Sequence, residues 1–276
     1  MCDALTRFVA GLPSEGTFSV WYGPADGEPW LTHNASAQHY AASTMKLVLL
    51  VAAHRAADRG ELDLDCEVVI HDDFASVADG TPFTMTRAYD NDEQPWELLG
   101  GTASLRWLVE RAIVSSSNLA TNLVLEHVGL PAVGATLSAL GCEDSVVSRG
   151  IEDARAADAG LTNLVSATDL ARLLQALAGR TAASAPACEE MLATLRAQQV
   201  NDAIPAGLPA GVAVAHKSGW VDGVSHDAAL VEPLGEEPWV LVVLTSSRLS
   251  DNEGTGLIAA AGAAAWSDRS TGEGHE

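Results

Sequence analysis

Ala42-Ser43-Thr44-Met45-Lys46 runs directly into the apolar stretch Leu47-Val48-Leu49-Leu50-Val51-Ala52-Ala53, and the rest of the chain can be read outward from it. A serine and a lysine three residues apart at the start of a helix stand one turn above each other on the same face. A serine placed there sits at the helix N-terminus, where free N–H groups and the helix dipole favour developing negative charge. A hydroxyl with an amine beside it has the parts of an activated nucleophile. Of the 15 lysines and arginines only two are lysines, Lys46 and Lys217, so a chain that otherwise carries positive charge on arginine has put a lysine here.

At 276 residues the chain can bury a large core, in one domain or two lobes. Its 47% hydrophobic and 19% charged content are those of a folded globular protein. A formal charge of −22 argues against a nucleic-acid or anionic-membrane partner, either of which calls for a basic face. No apolar run approaches membrane-span length, since His54 and Arg55 close the stretch above. The opening Met1-Cys2-Asp3-Ala4-Leu5-Thr6-Arg7 has neither a basic segment nor a long apolar one, which predicts a cytoplasmic chain. Cys2, Cys66, Cys142 and Cys188 lack C-x-x-C spacing and read as reduced, mostly buried thiols; no histidine pattern suggests a metal, and no cofactor is expected.

Along the chain, residues 3–12 read as a short helix, and 17–22 and 29–33 as two strands of a hairpin. The motif helix is expected from Ser43 to about Arg59, with Gly60 as its stop. Periodicity fades over 72–102, which reads as mostly loop; of two readings for Asp90, Asn91 and Asp92, a cleft rim and a solvated acidic loop, the solvated loop is preferred. Helices follow: one capped by Ser104, then 119–128, 131–140, one capped by a Ser166–Asp169 box up to Ala178, and 187–198. Residues 143–165 read as irregular. Residues 212–217, 225–231 and 239–245 read as strands, 257–266 as a closing helix, and the tail from Ser267 as frayed. This order predicts a mixed α/β (α+β) fold in which both chain ends build one antiparallel sheet. Residues 1–40 and 205–276 form the α/β lobe, residues 41–204 an inserted helical lobe, and the site is expected in the cleft between them.

Two further stretches give the S-x-x-K pattern its meaning. Ser116-Ser117-Asn118 lies at a helix–loop–helix junction, and Lys217-Ser218-Gly219-Trp220 ends a predicted strand. S-x-x-K, S-x-N and K-[ST]-G in this order are the three signatures of the penicillin-recognising serine enzymes. The chain resembles the class A β-lactamases and, more closely, the class A-like serine hydrolases related to them, from about Asn34 to Thr245.

The resemblance implies that Ser43 is the acylated nucleophile and that Lys46 takes its proton, which requires a depressed lysine pKa. Ser116 then relays a proton to the leaving nitrogen, and Asn118 holds the substrate amide. Lys217 and Ser218 bind the substrate carboxylate, and Lys217 lowers the pKa of Lys46. The N–H groups of Ser43 and Trp220, beside Gly219, form the oxyanion hole. Trp220 stands where the family commonly has a small residue, so its indole is expected to reshape the cleft.

The sequence departs from the family in two places. Ser117 replaces the usual aspartate of the middle motif. The family's R-x-E-x-x-L-N loop reads Ser148-Arg149-Gly150-Ile151-Glu152-Asp153-Ala154-Arg155, with no L-N after it. Glu152 is a candidate deacylating base; the competing reading is an Arg149–Glu152 or Arg155–Asp153 ion pair pinning the loop. Ser225-His226-Asp227 holds the residue types of a triad, but strand alternation puts His226 on the opposite face, and it reads as structural.

The expected activity is that of a monomeric serine hydrolase acting on a β-lactam or another acyl or peptidyl small molecule, without metal, nucleic-acid or membrane partners. Its rivals are a peptidase or esterase of the same fold, and a slowly deacylating penicillin-binding or sensing module.

Overall fold

The computed structural model describes residues 2–269. The chain opens with helix α1 (Asp3–Ala10) and the hairpin strands β1 (Thr17–Pro24) and β2 (Leu31–His33). After the short β3 (His39–Tyr40), a single 3₁₀ turn at Ala42–Thr44 leads into α2 (Met45–Asp58). This helix is apolar on every side, so it cannot lie on a surface. Met45 to Ala53 are at most 2% exposed, and α2 runs through the core of the helical lobe. Gly60 follows at φ +69°, a conformation glycine adopts without penalty.

Residues 72–102, expected to be mostly loop, instead hold small ladders. β4 (Glu67–Val69) pairs with β7 (Thr102–Ser104), and β5 (Asp73–Ala75) pairs with β6 (Pro82–Thr84). The one-turn α3 (Glu93–Glu97) lies between them. Strands of three residues show too little alternation to be visible in sequence.

The helical lobe continues with α4 (Leu105–Val114), α5 (Asn118–Val128), α6 (Leu130–Ala139), the one-turn α7 (Ala154–Asp158), β8 (Leu164–Val165), α8 (Ala167–Ala178) and α9 (Ala185–Arg196). Ser104 caps α4 by accepting from Trp107 N, as expected. Ser166 likewise accepts from Asp169 N, but the other half of that box is not made. The Asp169 carboxylate turns to Asp144 N and Arg172.

β9 (Ala213–Val221), β10 (Val224–Glu232) and β11 (Trp239–Ser246) complete a five-stranded antiparallel sheet in the order β2-β1-β11-β10-β9. Thr17 stands opposite Ser246, so the two ends of the chain share the centre of the sheet. β9 runs four residues past its expected end, carrying the K-S-G motif inside the strand. Alternation sorts the side chains onto two cores. Trp21, Ala228, Leu230, Val240, Val242 and Leu244 face the helical lobe. Val20, Tyr22, Ala229, Val231, Leu241 and Val243 face α1 and the closing helix α10 (Asp251–Asp268). α10 starts six residues earlier than expected, because the Glu253 carboxylate accepts from Ser250 N and Oγ. It also continues through Ser267, expected to be frayed; the residues beyond Arg269 lie outside those described.

All four cysteines are free, with Cys142 and Cys188 buried. Among the described residues no helix is long and apolar enough to cross a membrane.

Candidate active site

Ser43 sits in the 3₁₀ turn that feeds α2, and Lys46 lies one turn further on, fully buried. Ala42, beside Ser43, has φ +44°, Ser116 has φ +58° and Glu152 has φ +62°. Among the described residues, three of the five non-glycine residues with positive φ therefore cluster here, the local strain that functional sites tolerate when surrounding structure holds it. β9 presses against the turn. A methyl group added at Gly219 would stand 2.7 Å from Ser43 N and 2.8 Å from Thr44 N, so only glycine allows this approach.

The three motifs meet in one buried hydrogen-bond network. Lys46 Nζ donates to Ser116 O at 2.7 Å, Ser116 Oγ at 3.2 Å and Asn118 Oδ1 at 2.9 Å. Lys217 Nζ donates to the same Ser116 Oγ at 3.1 Å and to Ser218 O at 2.7 Å. Two lysines with no exposure thus share one serine hydroxyl. Burial holds Lys46 well below the usual lysine range, Lys217 pushes it down further, and Asp90 partly opposes both. Burial also lowers Lys217 to about 7, against the raising effect of Asp227. The Ser43 hydroxyl has no hydrogen-bond partner among the described residues and lines the cleft.

The cleft has a volume of about 320 Å³. Ser43, Asn118, Glu152 and Trp220 line it, joined by Tyr40 and Tyr89. Lys46, Ser116 and Lys217 lie beneath it as the network described above. Ser218 and Gly219 line a separate cavity of about 100 Å³ whose other wall includes Asp251, Asn252 and Thr255 of α10. There Ser218 Oγ is buried without a partner.

Neither ion pair suggested for the 148–155 loop forms. Arg149 donates to Leu161 O, Gly150 O and Tyr40 Oη, and Arg155 pairs with Asp79. Asp153 caps α7 through Ala156 N and also accepts from Val77 N. Glu152 instead turns to the cleft: its Oε2 accepts from Thr86 N at 3.0 Å, and Oε1 is buried without a partner. The β5–β6 hairpin and the segment after it thus hold the loop from outside.

His226 is structural, as expected: its ring bonds Tyr40 O, Ser225 O and Thr245 N, while Asp227 bonds His216 and Ile204 N.

Sequence reasoning missed one residue of the site and gave another the less apt of its two readings. Asn163 lines the cleft, but its amide is committed to Ser148 N, Arg149 N and Arg149 O. Asp90, expected in a solvated loop, binds the start of α5 through Asn118 N at 2.9 Å and Leu119 N at 2.8 Å. Asp92 is also buried, against Arg111. Only the outer face of that stretch meets solvent. Carboxylates that reach across 28 residues of chain leave no periodic trace.

Among the described residues no cluster of three or more histidine, cysteine, aspartate or glutamate side chains is arranged to hold a metal.

Known proteins agree with this architecture. A β-lactamase from Sphaerobacter thermophilus shares 28% identity over the whole of both chains, with a TM-score of 0.80. A variant of PBP-A, solved as an acyl-enzyme complex with penicillin G, is 22% identical over 98% of this chain and 97% of its own, with a TM-score of 0.80. A class A β-lactamase described as the last common ancestor of Gram-negative bacteria is 21% identical over 96% and 98%, also at 0.80. No curated protein sequence matches significantly. Residues 3–268 match the family described as the beta-lactamase enzyme family, and with the Ser43 turn, the shared serine and the two buried lysines in place, the chain belongs to that family.

Proposed function

We propose that this protein is a serine hydrolase that opens β-lactam amides through an acyl-Ser43 intermediate. The observation that carries this reading is the Lys46–Ser116–Lys217 bridge beneath Ser43. Burial and the second cation lower Lys46 well below the ordinary lysine range, which favours its accepting the Ser43 proton as Oγ attacks the carbonyl carbon. The oxyanion takes the N–H groups of Ser43 and Trp220. The C–N bond then breaks, and the nitrogen receives a proton from Ser116 Oγ, which is replenished from the lysines. Lys217 supplies the cation for the substrate carboxylate, and Asn118 Nδ2 or Oδ1 meets the acyl amide. In the second half-reaction, Glu152 takes a proton from water as it attacks the ester, and Ser43 leaves as the hydroxyl. The unpartnered Oε1 of Glu152 supports this role.

One observation favours slow turnover. Glu152 Oε2 is tied to Thr86 N, and the Asn163 amide is committed elsewhere, so the water has one free carboxylate oxygen to meet. A penicillin-binding module that stays acylated is the reading this favours.

Time-resolved intact mass with a chromogenic cephalosporin separates the two. Turnover in the wild type, none in Ser43→Ala, and a stalled adduct in Glu152→Gln is the expected pattern. A persistent adduct on the wild type establishes the slow module. If cephalosporins, esters and peptides all leave Ser43 unlabelled, the catalytic reading is wrong.

A further inference from the structure

The middle motif carries Ser117 where the resemblance leads one to expect an aspartate, yet a carboxylate lies against that position all the same. Asp90 Oδ1 accepts from Asn118 N at 2.9 Å, Asn91 N at 2.8 Å and Asp92 N at 3.2 Å. Its Oδ2 accepts from Leu119 N at 2.8 Å, Trp96 Nε1 at 2.9 Å and Ser117 Oγ at 3.3 Å. Six donors converge on one carboxylate, more than its four lone-pair sites can each serve singly. The donors belong to two bodies. One is the start of α5, which presents Asn118 to Lys46; the other is the rim continuing into α3, which supplies Asn91 N, Asp92 N and Trp96 Nε1 and presents Tyr89 and Asn91 to the cleft. Asn118 Nδ2 closes the same joint by donating to Tyr89 O at 2.8 Å.

We propose that Asp90 is a positioning residue that stands in, from a distant loop, for the acid the middle motif lacks: it locks Asn118 and the cleft rim together and sets a negative charge facing Lys46. The surroundings of Lys46 make that charge matter. Lys217 faces it from β9 and Asp90 from the rim; its ammonium donates to Ser116 and Asn118, neither of them charged, and the side chain otherwise lies among Leu49, Leu50, Val109, Ala112, Ile113 and Val124. In a pocket so far from solvent an anion is weakly screened, and it offsets part of the depression caused by burial and Lys217. Asp90 thereby tunes the pH at which Lys46 becomes a base, while also fixing where Asn118 points.

The kinetic part of this inference rests on the proposed acylation of Ser43; the electrostatic part does not. Because Lys46 and Lys217 are the only lysines in the chain, lysine labelled with ¹³C at Cε gives two side-chain signals, whose titration by NMR needs no substrate. Asp90→Asn keeps one acceptor oxygen and removes the charge; Asp90→Glu keeps the charge and displaces it. In Asp90→Asn the Lys46 signal is expected to titrate at lower pH than in the wild type. The acylation rate falls about tenfold or more, and its acid limb moves the same way. In Asp90→Glu the rate falls but Lys46 titrates close to the wild-type position, which also keeps the test open if the asparagine variant folds poorly. Slower acylation in Asp90→Asn with Lys46 titrating as in the wild type overturns the inference, because a purely structural anchor gives that result. Unchanged acylation overturns it too. A wild type that no acyl donor labels sinks the proposed function instead, and the lysine titration still decides the case of Asp90.

Discussion

Gly219 offers the sharpest test of how β9 and the nucleophile turn work together. In Gly219→Ala the new methyl would meet Ser43 N at 2.7 Å, Thr44 N at 2.8 Å and the Ala42 methyl at 3.3 Å. Ordinary contacts between such atoms lie at about 3.5 Å or more, so strand and turn must part by roughly 0.8 Å. Neither side yields easily, since the obstructing nitrogens are backbone atoms of a turn already held at positive φ. Overpacking of this kind costs about 1–3 kcal/mol, a fall in melting temperature of roughly 2–12 °C for a chain of this size. The effect on chemistry is larger, because the displaced atoms include the backbone of Ser43, the proposed nucleophile, and the proposed oxyanion donors. A misplacement near 1 Å costs on the order of a hundredfold in rate, so acylation in Gly219→Ala should fall by roughly 30- to 100-fold. Stopped-flow labelling by a fluorescent penicillin reads that rate, and differential scanning calorimetry reads the melting temperature. Gly134→Ala is the control: it lies in α6 with open space around it and should keep full activity and gain slight stability. Acylation at the wild-type rate in Gly219→Ala would refute the claim that the close approach of β9 builds the site.

Two further outcomes follow from buried charge. Asp92→Ala leaves the Arg111 guanidinium, 9% exposed, with only Ser115 Oγ as a side-chain partner, and should destabilise by about 3–5 kcal/mol in urea denaturation. Asp92→Leu combined with Arg111→Met should recover most of that loss; a single variant within about 1 kcal/mol of the wild type would show the pair to be idle. His39 and His226 pack edge-to-face at 5.5 Å, and burial lowers each to about 4, with His226 also lowering His39. Their stability contribution is complete above the unfolded histidine value of about 6.5 and is lost as pH falls towards 4, because the unfolded chain takes up protons first. Stability should drop by a few kcal/mol across that window, and His39→Gln should flatten the slope.

The sequence carried the parts of this structure that depend on local periodicity or local chemistry. The α2 helix was legible because it is apolar all round, the last two strands because both faces are buried, and Ser43, Lys46 and Lys217 because rare lysines fell in ordered motifs. The short β5–β6 ladder was illegible because three residues cannot show a period. β9 outran its expected end because Ser218 and Gly219 carry weak strand signals; pairing with Asp227 and His226 holds them there. The partners of Glu152, Asp90 and Asp92 were illegible for another reason. A carboxylate that satisfies backbone N–H groups dozens of residues away is chosen by tertiary geometry, and an acidic loop in solvent has the same composition.

The pairing of Thr17 with Ser246 also dictates when the site can come into being. A nascent chain threads out of the ribosome with S-x-x-K and the entire helical lobe long before β11 exists, and closing a loop of that span carries an entropic cost that only the finished sheet offsets. β9, which presses Gly219 against the nucleophile, reaches β1 only through β10 and β11. A chain stalled before Trp239 would therefore contain Ser43, both lysines and Asn118 and still lack the edge that arms them. If the proposed acylation of Ser43 holds, reactivity towards a labelled lactam would thus report that β11 has taken its place beside β1.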